Sequence, residues 1–177
     1  TLHQMVIERI NRETEHAKAG KPARIRAKMN SLIEPSVIDA LYRASSAGVQ
    51  IDLIVRGMCT LRPGVKGLSE NIRVRSIIGR QLEHSRVYCF HNNGADDTFI
   101  SSADWMGRNF FRRIEVATPI FTPELKARVI REGIEMALQD NTRAWLMQPD
   151  GSYIRAQPEN GEPAFSLQES LWEMYGR

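Results

Sequence analysis

Cysteine, aromatic residues and charge of one sign are all scarce in this chain. Two of its 177 residues are cysteines, Cys59 and Cys89, too few and wrongly spaced for a disulfide framework or a Cys/His metal quartet. Free thiols in a reducing compartment are the expectation. Aromatic residues make up 7%, which leaves little for the base-stacking platforms of single-strand nucleic-acid binders. The formal net charge is +3, too small for its total to argue a polyanion partner, so placement has to carry that argument. No apolar run approaches the ~20 residues that span a bilayer, and the N-terminus lacks a signal-peptide core. A cytoplasmic protein is expected. The loops G-x-x-x-x-G-K-S/T and G-x-G-x-x-G and the kinase catalytic-loop signature are missing as well. The chain starts at Thr1 rather than Met, so it is expected to be a domain that shares its function with residues outside it.

What is present is a basic stretch from Arg56 to Glu115 with His84 inside it. Arg56, Arg62, Lys66, Arg73, Arg75, Arg80 and Arg86 fall between positions 56 and 86, interleaved with Gly57, Gly64, Gly67 and Gly79. Arginine forks match phosphate oxygens and glycines let backbone N–H groups approach them, so the stretch suits an extended polyanion. For any one of these arginines a solvated surface position is the competing reading.

Around it the periodicities alternate. Residues 1 to 19 carry Leu2, Met5, Val6, Ile7 and Ile10 at helical spacing. Residues 23 to 32 alternate Ile25, Ala27 and Met29 with Arg24, Arg26 and Lys28, a strand with a basic face. A helix follows from Glu34 to Gly48, then a buried strand over 49–55, which makes a βαβ unit with parallel strands. Further strands are expected over 72–77, 82–90 and 98–102, the last two joined by a hairpin at Asn92-Asn93-Gly94. A helical segment near 105–108, a strand over 113–120 and a long helix over 122–139, with Leu125, Val129, Ile130, Ile134 and Leu138 buried, complete an α/β core. The tail reads as a small hairpin at 145–147 and 153–156, a loose polar segment, and a last helix over 165–175.

Few residues invite chemistry. His3, His16 and His91 read as surface groups. His84 lies between Arg80 and Arg86, and a neutral imidazole there can exchange a proton with a phosphate oxygen; a structural histidine is the alternative. The run from Ser101 to Asn109 is either a capped helix start or a row of N–H groups facing an anion. Local reasoning does not choose between these, nor does it say whether Glu115 pairs with an arginine or is exposed.

Read together, Lys28-Met29-Asn30-Ser31-Leu32, Ile51 to Gly57, Leu61-Arg62-Pro63-Gly64, Gly67 to Val74, Leu82-Glu83-His84-Ser85-Arg86 and Ile100 to Met106 closely resemble the C-terminal catalytic domain of bacterial polyphosphate kinase of the phosphohistidine type. The resemblance covers about residues 23–140, with 141–177 as a tail, and treats residues 1–177 as one domain of a larger enzyme. It implies a phospholipase-D-like mixed α/β sheet flanked by helices. It also implies reversible transfer of the terminal phosphate of ATP to inorganic polyphosphate through a phosphohistidine in a preceding domain. His84 matches the family's second histidine, an acid or base that contacts nucleotide phosphates, and Arg56 a phosphate-binding arginine. Arg62, Arg73, Arg75 and Arg86 are candidates, by charge alone, for the polyphosphate path. Mg2+ is implied with ligands outside this chain, so no metal site is assigned here. The implied partners are ATP or ADP, polyphosphate, the preceding domain and other copies of the full-length enzyme. The location is the cytoplasm, with peripheral attachment to the inner membrane as a variant. Against the wider phospholipase D pattern H-x-K-x4-D, the chain has His84-Ser85-Arg86 and places His91 where the Asp would be, so His84 lacks that orienting carboxylate. A non-catalytic polyanion-binding module and a homodimeric phosphodiesterase are the two competing functions.

Overall fold

A computed structural model describes residues 1–176. The first helix, α1 (Leu2–Lys18), opens with a capping box in which the Thr1 hydroxyl accepts from the Gln4 amide. It buries Val6 and Ile10 together with the carboxylate of Glu13. That carboxylate accepts the backbone N–H groups of Arg24 and Asn92 at 3.2 and 2.8 Å, so the buried charge is satisfied by the chain it packs against.

The strands are β1 (Arg24–Met29), β2 (Gln50–Val55), β3 (Ile72–Ile77), β4 (Val87–Phe90), β5 (Asp97–Ser101), β6 (Ala117–Pro119), β7 (Ala144–Met147) and β8 (Tyr153–Arg155). They form one sheet in the order β6-β5-β4-β1-β2-β3-β7-β8. β1, β2 and β3 run parallel, with Arg24 opposite Gln50 and Ile51 opposite Ile72, and the remaining pairs are antiparallel. The expected mixed sheet flanked by helices is what forms. Helix α2 (Pro35–Ser46) makes the β1–β2 crossover. Glu34 caps it by accepting the Val37 N–H at 2.8 Å, and Gly48, at φ 100°, ends it in a conformation that a Cβ disfavours.

Alternation along the strands separates two cores. Ile25, Ala27, Met29, Ile51, Leu53, Val74, Tyr88 and Phe90 pack with Val6, Ile10 and Leu41 on the α1/α2 face. On the opposite face Ile54, Ile77 and Val87 meet Ile134, Met136, Ala137 and Leu167. Helix α4 (Pro123–Ile130) runs into a π turn (Arg131–Glu135), which carries Ile134, and then into α5 (Met136–Gln139), which carries Met136 and Ala137; Leu167 comes from α6 (Leu167–Tyr175). The helix expected over 122–139 is thus interrupted by the π turn. Leu125, expected to be buried, is 52% exposed. The "basic face" of β1 lies under these helices: Arg26 is ion-paired with Asp96 and Glu135, and Lys28 with Glu83. Two expected strands are shorter than their alternation suggested. Residues 82–86 form a loop, and only 117–119 of the 113–120 run is strand. No helix among the described residues is long and apolar enough to cross a membrane.

Candidate functional site

Parallel strands present their carboxyl ends on one edge of a sheet, and ligands of open α/β sheets gather there. In this chain β1, β2 and β3 end on that edge, β4 begins there opposite the end of β1, and β5 ends there. The edge therefore gathers Asn30, Arg56, the 78–86 loop and the Ser101–Asp104 turn, four segments distant in sequence.

Arg56 is the first residue after β2. Its backbone N–H donates to the Met29 carbonyl at 3.2 Å, and its carbonyl accepts the Ser76 hydroxyl at 2.9 Å. Its Nε donates to Asn30 Oδ1 at 3.0 Å. Asn30 is itself buried and fixed through its backbone: its N–H donates to Asp104 Oδ1 at 2.7 Å and its carbonyl accepts from Gly57 at 2.8 Å. The guanidinium is thus held at one nitrogen, and its terminal Nη groups make no hydrogen bond among the described residues. The Gly57 N–H, expected to be free for a phosphate, is already bonded. A Cβ at that position would lie 3.1 Å from the Asn30 carbonyl oxygen, so glycine serves the close approach of two chains.

His84 is exposed in the β3–β4 loop. The residue before it anchors that loop: Glu83 takes the Lys28 ammonium at 2.5 Å and the Gln168 amide at 2.8 Å. Gln168 also exchanges two hydrogen bonds with the backbone of Gln81, at 2.9 and 2.8 Å. Gly79 makes room for this clasp, because a Cβ there would sit 2.3 Å from Gln168 Oε1. Arg56 and residues Ile78, Gly79, Arg80, Leu82 and Glu83 line a cleft of about 370 Å³, and His84 follows directly in the chain.

Arg86 closes the other side. Its Nε and Nη2 donate to the two oxygens of Asp104 at 3.1 and 3.2 Å, while Nη1 reaches the His84 carbonyl at 3.1 Å and His84 Nδ1 at 3.4 Å. The Ser101–Asn109 segment does not take the capped form, and its first N–H groups are turned to the protein. Helix α3 (Gly107–Arg112) begins without a side-chain cap. The N–H groups of Ser102, Ala103 and Trp105 donate to the Val116 carbonyl, the Ser101 hydroxyl and the Ser31 carbonyl. Glu115 is neither free nor exposed: it accepts the Ser102 hydroxyl and, at 2.5 Å, the Asn109 amide, with Arg113 at 3.6 Å.

Of the four arginines proposed by charge for a polymer path, Arg86 alone is on this edge. Arg73 pairs with Asp52 at 2.8 Å on the α4/α5 side of the sheet. Arg75 turns inward to the carbonyls of Ala137, Leu138 and Asp140. Arg62 lies against the β7–β8 turn, donating to the Pro149 carbonyl at 3.2 Å. Because β7 runs antiparallel to β3, that turn sits beyond the start of β3, at the opposite edge. Residues that the sequence reading passed over are Asn30 and Asp104 as holders of Arg56 and Arg86. Both stand inside the motif runs quoted above, but nothing local marks them as partners.

The arrangement offers an unpaired guanidinium fork and an exposed arginine (Arg80) in the lining of one cleft, and an exposed imidazole, His84, next in the chain after the last lining residue. A divalent cation does not fit it. Among the described residues no group of three or more His, Cys, Asp or Glu side chains could hold a metal, and Glu83, Asp104 and Glu115 already receive donors from the protein.

The chain matches the family model described as polyphosphate kinase C-terminal domain 2 over residues 1–168. A polyphosphate kinase of Neisseria meningitidis serogroup C is 84% identical over 99% of this chain, which is 26% of that relative. One from Paraburkholderia phytofirmans is 59% identical over 97% of this chain and 25% of its own length. The crystal structure of polyphosphate kinase from Porphyromonas gingivalis superposes with a TM-score of 0.93 at 41% identity, covering 98% of this chain and 26% of that one. Nuc from Salmonella typhimurium, a phospholipase D family member, superposes over 73% of this chain and 82% of its own, with a TM-score of 0.52 at 15% identity, a likeness of fold alone. The chain spans about a quarter of the length of the curated relatives it matches.

Proposed function

The chain belongs to the polyphosphate kinase C-terminal domain family, and from that premise we propose that it supplies the nucleotide-phosphate half of an active site for reversible transfer of the ATP terminal phosphate to polyphosphate. The preceding part of the same polypeptide supplies the other half, including the histidine that carries the phosphoryl group and the residues that bind Mg2+. Phosphoryl transfer asks a protein mainly to position its reactants and to neutralise charge. Arg56 serves that need as a cation fixed at Nε with its Nη fork open; bidentate contact to phosphate oxygens is the geometry such a fork favours. His84, exposed on the loop that lines the same cleft, donates to or accepts from the bridging oxygen as charge develops there. Arg80, on the wall of the same cleft, is the cation left open to the polymer there, since Arg86 is held by Asp104. Arg62, Arg73 and Arg75 take no part in the polymer's route from where they lie.

The observation that carries this reading is the convergence of Arg56 and the loop bearing His84 on one cleft, with Arg56 braced by a buried asparagine. Titration calorimetry of ATP into this chain, at two salt concentrations, tests it. Arg56→Ala and His84→Ala should each weaken binding at least about tenfold, the equivalent of a lost charge-assisted hydrogen bond. Unchanged ATP binding in both variants, or steep salt dependence with no preference for nucleotide over polyphosphate, would overturn it in favour of a general polyanion-binding module.

A further inference from the structure

Pairing to Asp104 leaves Arg86 with little capacity for a ligand. A guanidinium has five N–H donors and no acceptor. Four of those donors point at protein acceptors: two at Asp104, one at the His84 carbonyl and one at His84 Nδ1. Since the guanidinium can only donate, the ring nitrogen that faces it must accept, and in a neutral imidazole the proton then sits on the other nitrogen. Which nitrogen carries the proton is set by the hydrogen bond the other one makes.

We propose that Asp104 is the positioning residue for His84. Acting through Arg86 from the β5–α3 turn, it supplies the orienting carboxylate that His91 cannot provide, and so presents His84 to the cleft as an N–H donor. Asp104 is 7% exposed and also accepts the Asn30 N–H at 2.7 Å. Asn30 in turn holds Arg56, so one carboxylate braces both groups that meet phosphate. His91 lies at the far end of β4, where its ring faces Asp96 at 3.4 Å; it is four strand residues from any role at His84. With its proton on the outward nitrogen, the neutral ring has no lone pair there with which to act as a nucleophile. This tautomer fits His84 for protonating or hydrogen-bonding the oxygen that leaves as the P–O bond breaks.

Two measurements test this, and only the second rests on the kinase reading. In the chain itself, nitrogen-15 NMR of the histidine rings at about pH 8.5, where an ordinary imidazole is neutral, should show His84 as a single tautomer protonated on its outward nitrogen. Asp104→Asn and Arg86→Lys should each convert it to a mixture of tautomers. In a full-length polyphosphate kinase carrying this domain, Asp104→Asn and Arg86→Lys should each lower kcat about 10- to 100-fold, by analogy with the loss when partners that orient metal-ligating histidines are removed. In a His84→Gln background Arg86→Lys, which leaves the Asp104–Asn30 contact in place, should change kcat less than about threefold, because groups that act as a unit are not additive. Unaltered ring signals in both variants, or an equal fall in kcat with and without His84, would overturn the proposal. Should Asp104→Asn fail to fold, Arg86→Lys alone decides it, since it keeps the cation and removes only the fork. An inactive full-length enzyme with the NMR result as expected would refute the kinase reading and leave the positioning intact.

Discussion

Asp52 sits between two guanidinium groups, with Oδ2 2.7 Å from Arg24 Nη2 and Oδ1 2.8 Å from Arg73 Nε. Burial works to raise its pKa, but the hydrogen bonds and charges of Arg73 and Arg24 outweigh it and hold the carboxyl below the usual range. A group whose pKa is depressed on folding contributes stability above its unfolded value, about 3.9, and loses it as pH falls through the folded one. Asp52→Asn should therefore lower stability at pH 7 by about 1–2 kcal/mol, and the gap between variant and wild type should begin to narrow as pH falls below about 4 and shrink further towards the lowered folded-state pKa. Urea unfolding across pH 7 to pH 3 measures it, and a gap that does not narrow over that range would refute the assignment. The thiols offer a second test. Burial pushes Cys59 up to about 11 and also raises Cys89, so at pH 8 neither holds much thiolate, the reactive form. Iodoacetamide should label both slowly in the native chain and rapidly in urea. Two free cysteines were legible from the sequence, and the structure keeps them free.

The β3–β4 loop depends on an element that is far from it in sequence. Helix α6 places Gln168 against Gln81 and Glu83, so the His84 loop is clasped from below while His84 itself stays exposed. Gln168→Ala should release it, speeding amide exchange at Gln81 at least about tenfold and hastening trypsin cleavage after Arg80, with little change at β1 or β2. Gly79→Ala should act the same way by pushing Gln168 out. Alternation and turn chemistry revealed most elements, including the β4–β5 hairpin, because those signals are local. Asn92 and Asn93 do adopt the positive φ values, 44° and 53°, that such a turn tolerates in asparagine. The π turn was not legible. It places Gly133 where a Cβ would be 3.0 Å from Val87 Cγ2, and a close approach between a helix and a strand leaves no period in either. Lys28 and Arg26 alternate as solvent-facing residues would, yet Glu83, Asp96 and Glu135 neutralise them beneath the second helical layer.

At the scale of the molecule, residues 141–176 belong to the fold. β7 pairs with β3, β8 extends the edge, and Leu167 of α6 is fully buried in the second core with Ile54, Ile77 and Ala144. Truncation after Asp140 would uncover that core and the edge of β3, and the product should be insoluble or molten rather than a smaller stable domain. Circular dichroism and solubility of a 1–140 fragment decide this, and a cooperative unfolding transition in that fragment would refute it.

The sequence by itself determined the α/β class, the βαβ unit and the hairpin, and it nominated Arg56 and His84, which stand on segments that the fold brings to one edge of the sheet. Periodicity, turn residues and long motif runs are properties of neighbouring positions. Only the tertiary structure decided which cations are available. Arg75 turns to the carbonyls of Ala137, Leu138 and Asp140, Arg73 pairs with Asp52, Arg62 is carried to the opposite edge, and Arg86 is bound by Asp104, while Arg56 keeps its fork open. Charge in a sequence is additive, but the use of a charge depends on the partner that folding brings to it, and that partner lies 18 residues away for Arg86 and 26 for Arg56.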